Sequence, residues 1–132
     1  MKKNIHVKHQ HRYSFEVVDQ YQGEADFTIH DQYEKLVYYD HQGIRITLYI
    51  YDDHLNIERK GELHSSLSFI ENKKTKNMIK SDYGDIEIEL FTYQYDKKKN
   101  QIIIDYDVVS SSSDKDGYYI EFKIEEDVCE YN

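Results

Sequence analysis

The residues from Ile44 to Tyr51 alternate without a break. Ile44, Ile46, Leu48 and Ile50 fall on one side, and Arg45, Thr47, Tyr49 and Tyr51 on the other. A strict period of two marks a half-buried β-strand, because successive side chains leave a strand on opposite faces. Asp52-Asp53 suits a two-residue turn, after which Leu55 and Ile57 resume the apolar face. The same period recurs along the chain. It appears at Ile5 and Val7, at Tyr13, Phe15 and Val17, at Leu63, Leu67 and Phe69, and at Ile86, Ile88 and Leu90. It returns at Ile102, Ile104, Tyr106 and Val108, and at Tyr118, Ile120, Phe122 and Ile124. Gly23 interrupts a long extended stretch, where a glycine predicts a bulge or sharp bend. Turns are predicted at Asp40 to Gly43, at Gly61, at Tyr83-Gly84 and at Asp96 to Asn100, and an exposed polar loop at Ser110 to Gly117.

Composition supports this reading. The chain contains no Pro, so no strand loses a backbone donor. Ala25 is the only alanine, and β-branched and aromatic residues dominate. No segment has a helical period of useful length. Roughly eight to ten short strands predict a sandwich or an antiparallel barrel. Closure removes the long edges that a flat sheet would expose. The expected fold is therefore all-β: one closed antiparallel barrel, a single domain over residues 1–132, with a frayed tail from Asp127.

Charge and cysteine content exclude several functions. Twenty-six acidic residues against 17 basic ones give a net charge of −9, which opposes a general nucleic-acid or anionic-membrane binder. An aromatic content of 14% opposes disorder. Cys129 stands alone, so a disulfide framework and a cysteine-based zinc site are both excluded. No apolar run approaches the roughly 18 residues of a spanning helix. The expected location is the cytoplasm, where a lone thiol is at home.

Between Leu36 and Thr92 the chain resembles the uncharacterised bacterial family typified by YwiB. The matching positions are Tyr39 at a strand end, Arg59 with Gly61, Leu67 with Phe69, Tyr83 with Gly84, and Thr92. The chain departs from the family pattern at Ile79 and Ser81, where Tyr and Thr are expected, and at Asp82, where Pro is common. The resemblance implies a lipocalin-like (calycin-type) closed barrel. It implies no activity, because the family has none established.

Arg59 is the principal candidate site residue. Pairing across Asp52-Asp53 sets Ile50 opposite Leu55, Leu48 opposite Ile57, and Ile46 opposite Arg59. That register points Arg59 to the apolar face, where a guanidinium needs partners. It can hold a ligand carboxylate or phosphate at the barrel mouth, or it can be tied to groups of the protein itself. Lys80 shares that interior with Asp82 in one phase of its strand; in the other, Ile79, Ser81 and Tyr83 face inward. Lys80 and Tyr83 are accordingly further candidate ligand-binding residues.

Three weaker constellations remain. Pairing Ile88 with Val108 and Tyr106 with Phe122 aligns Glu89, Asp107 and Glu121 on the outer face, an array that a hard cation or basic side chains can relieve. His9 and His11 share a strand face near His6, but no third ligand at a defined spacing makes a zinc site. Tyr38, Tyr39, Tyr49, Tyr51, Tyr93, Tyr95, Tyr118 and Tyr119 include outward residues suited to cross-strand pairing, an interface or base stacking.

Nucleophile, phosphate-loop and zinc-protease motifs are absent, and the Ser110 to Ser113 run is a loop. The expected function is therefore a barrel that binds a small, partly apolar or anionic ligand at its mouth. The alternative is an interaction or structural protein, a homodimer or a partner binder, that uses the outer tyrosines. No catalytic residue, metal or cofactor is expected, nor a nucleic-acid or membrane partner.

Overall fold

The computed structural model describes residues 1–109 and 116–125. They form ten strands: β1 (Lys2–His11), β2 (Val17–Ile29), β3 (Glu34–Tyr39), β4 (Arg45–Ile50), β5 (His54–Lys60), β6 (His64–Ile70), β7 (Lys74–Ser81), β8 (Gly84–Lys98), β9 (Gln101–Val109) and β10 (Asp116–Glu125). Each strand pairs antiparallel with its neighbour in sequence, and β1 pairs with β10 to close the barrel. This is the closed antiparallel all-β barrel expected from the sequence, with its strands joined as a meander. No helix among the described residues is long and apolar enough to cross a membrane.

The β4–β5 hairpin has the expected register: Ile50 faces Leu55, Leu48 faces Ile57, and Ile46 faces Arg59. The inward side chains build one core, in which Phe69, Phe122, Ile5, Leu36, Leu48, Leu55 and Ile104 are fully buried. Bulky residues from all sides thus fill the barrel through most of its length.

Several local expectations need correction. Residues 12–14 form a turn, and Phe15 stands at φ +60°, so Tyr13 to Phe15 is the β1–β2 connection and not a strand. Gly23 pairs regularly with Ile5; the register shift lies between His9 and Gln10. The glycine instead makes room for Tyr21, whose hydroxyl would lie 2.4 Å from an added Cβ. Leu63 sits in the β5–β6 turn. Strand β8 continues to Lys98, through most of the expected turn. Asp116 and Gly117 open β10 rather than closing a loop. Ser110 to Ser113, Cys129 and the tail from Asp127 lie outside the described residues.

Two irregularities shape the wall. The β8–β9 register shifts between Thr92 and Gln94, so Leu90 and Thr92 face inward before Tyr93, and Tyr95 after it. Strands β6 and β7 pair only from His64 to Ser66 against Met78 to Lys80. Beyond that, side chains replace the ladder. Ser68 N donates to Asn77 Oδ1 (2.8 Å), and Thr75 Oγ1 donates to the Ser68 carbonyl (2.7 Å). Asn77 is buried and returns its amide to Thr75, which keeps the seam satisfied.

Candidate functional site

In the meander, the turns that follow β1, β3, β5 and β7 gather at one end of the barrel. At this mouth the aliphatic packing gives way to aromatic and charged side chains. A cavity of about 110 Å³ remains, walled by Ile46, Ile57, Phe69 and Phe122 and bounded by His9, Tyr38, Asp40, Arg59 and Tyr106. A wider cleft of about 540 Å³ adjoins it, lined by Ile44, Leu63, Ser65 and Ile79. Arg59 borders both.

Arg59 reaches the mouth because it ends β5 in phase with Leu55 and Ile57. It is not deeply buried: its side chain is 46% exposed. Its ion-pair partner among the described residues is Asp40, with Nη2 and Oδ2 3.8 Å apart. That separation is too long for a hydrogen bond. Asp40 is otherwise committed to the β3–β4 turn. Its Oδ1 accepts from Gln42 N (2.9 Å) and Ile44 N (3.0 Å), while Gly43 takes φ +78°. These bonds fix the Asp40 carboxylate through Oδ1 in an Asx turn and leave Oδ2 as the oxygen facing Arg59.

Tyr38, in phase with Leu36 on β3, is 4% exposed. It stacks on Tyr21 at 5.0 Å, and its hydroxyl has no hydrogen-bond partner among the described residues. Burial pushes its phenol well above the ordinary range, so it stays protonated as a donor. Tyr106 is also held protonated by burial, and its hydroxyl lies 3.3 Å from His9 Nε2. His9 follows Ile5 and Val7 on the inner face and packs on Tyr118 at 4.9 Å. Burial pushes its imidazole below the ordinary value; Asp19 opposes that shift, while Arg59 and His11 reinforce it. Tyr118, pushed up to about 12 by burial and its bond to Asp116, also lies against His11 at 4.7 Å.

The other sequence-predicted candidates do not converge here. Strand β7 takes the phase that turns Ile79 and Ser81 inward, which leaves Lys80 exposed on the outside. Tyr83 lies in the β7–β8 turn, 100% exposed, and not inside the barrel. His9 and His11 face the interior. No group of three His, Cys, Asp or Glu among the described residues can hold a metal ion.

The predicted acidic column is absent because the register differs. Glu89 faces Val109, Asp107 faces Phe91 and Gly117, and Glu121 faces Ile103. Arg12 answers the acids that do gather, Asp105 and Asp107. Its Nε donates to Asp105 Oδ1 (2.7 Å) and its Nη1 to Asp107 Oδ1 (2.5 Å), with a further Nη2 bond to Asp105. Tyr93 stacks on the guanidinium and donates to Asp107 Oδ2 (2.7 Å). Elsewhere on the wall, Tyr33 packs against Tyr49 and Tyr51, and Tyr51 stacks on His54.

Fold and mouth together define a small closed β-barrel with a polar-lined opening and a filled interior. The chain belongs to the family described as domain of unknown function (DUF1934), which matches residues 2–125. The crystal structure of the ywiB protein from Bacillus subtilis shares the fold, with a TM-score of 0.68 at 15% identity over 92% of this chain and 90% of that one. The YwiB-like resemblance and the barrel it implies therefore hold. No curated protein matches the chain.

Proposed function

We propose that the protein is a binding module whose mouth takes a small, partly apolar ligand by an anionic oxygen group. The supporting observation is the pair of unused donors on one cavity. Arg59 has a carboxylate only at 3.8 Å, and Tyr38, buried as a residue, presents to the cavity a hydroxyl with no partner among the described residues. A guanidinium fork and a phenol O–H suit a carboxylate, sulfonate or phosphate. The 110 Å³ cavity admits a head group and a few carbons; the apolar side chains of the wider cleft suit the rest of the ligand. This reading assigns binding rather than catalysis, and the lone cysteine suits a cytoplasmic setting.

Calorimetric titration with octanesulfonate tests it. The wild-type protein is expected to bind and Arg59→Leu to lose most of the heat while remaining folded. Equal binding by both proteins would remove Arg59 as the anchor.

A further inference from the structure

The mouth carries more negative than positive charge. Arg59 contributes one positive charge, and Asp40 and Asp19 contribute two negative ones. A bare anion would bring a third. The cavity holds one further group able to become cationic near neutral pH, His9. We propose that the mouth takes its anion together with a proton from solvent, which His9 holds in the complex. The proposal rests on the anion-binding reading above and adds its regulation by pH.

The groups around His9 fit this role. Asp19 faces it from β2, Asp116 and Tyr118 from β10, Tyr106 from β9, Arg59 from β5 and His11 from its own strand. Arg59 and His11 oppose protonation in the empty cavity, and burial opposes it more. An anion seated on Arg59 offsets the stronger of these two opposing charges. Protonation also changes the hydrogen bond to Tyr106. Neutral Nε2 can accept from the phenol; protonated Nε2 must donate to the phenol oxygen. The Tyr106 O–H is then free to turn to the anion. The balance is one protein, one anion and one proton on one side, and the protonated complex on the other.

Octanesulfonate is the probe, because its charge is constant between about pH 5.5 and 8, across the ordinary range of histidine. Affinity is expected to rise by up to about tenfold per pH unit as pH falls between the His9 pKa values of the complex and the free protein. NMR titration of the wild-type histidine rings should show the His9 pKa rising on binding. His9→Gln should bind with little pH dependence, whereas His11→Gln should keep it. Binding that ignores pH, or a pH dependence retained by His9→Gln, overturns the proton linkage and leaves the anion site standing. Absence of binding at every pH overturns both.

Discussion

Two arginines in this barrel have opposite surroundings. Arg12 lies on the outer wall with only 17% of its side chain exposed. It spans Asp105 and Asp107, stacks on Tyr93, and fits where Gly117 leaves room. Burial disfavours its charge, and the contacts with Asp105, Tyr13 and Asp107 outweigh that cost. Arg59 stands at the mouth, half exposed, beside one distant carboxylate. Arg12 is a structural clamp, with its donors spent on the protein. Arg59 leaves donors for something else. Burial alone therefore does not identify a binding arginine; unspent hydrogen-bonding capacity does.

Removing each arginine should separate these roles. Arg12→Leu leaves two largely buried carboxylates without a cation, and should destabilise the protein by about 3 kcal/mol in urea unfolding. Gly117→Ala should cost about 1–2 kcal/mol by the same measurement. Its Cβ would stand 2.5 Å from Asp107 Oδ1 and 2.9 Å from Arg12 Nη1.

The next effect depends on pH. The folded state depresses the His9 pKa, so the unfolded chain takes up this proton first as pH falls. The His9 contribution should be complete above the ordinary histidine value near 6.5 and decline until the folded value is passed. Unfolding series at several pH values should show this part of the profile flattened in His9→Gln. Arg59→Leu should change stability by less than about 0.5 kcal/mol, although it should lose most of the proposed anion binding. The smallest effects should come from Lys80→Ala and Tyr83→Ala, which should leave both anion affinity and unfolding midpoint unchanged. A loss of binding in either variant would extend the site beyond the mouth.

The elements that were legible in the sequence share a local cause. The β4–β5 hairpin combines uninterrupted alternation with a short turn, so its register and the position of Arg59 follow from adjacent residues. Arg12 was not legible, because its partners lie 93 and 95 residues away. A signal existed: Asp105 and Asp107 alternate with inward Ile104 and Tyr106, and two neighbouring outward acids need a cation. The phase of His9 was also available, since a period of two from Ile5 and Val7 places it inside. The shift at Tyr93 carries no Gly or Pro to mark it, and missing it displaced the expected acidic pairs. The inward phase of Tyr38 was available in the same way from Leu36, but its place opposite Ile46 depends on β3 pairing with β4.

Both arginines can be observed together in a heteronuclear NMR spectrum of their Nε–H groups as octanesulfonate is added. The account predicts that the Arg59 signal shifts saturably, with the Tyr38 ring, while the Arg12 signal stays in place. Arg59 and Tyr38 resonances that remain fixed while the anion binds, or an Arg12 signal that moves as far as that of Arg59, would contradict it.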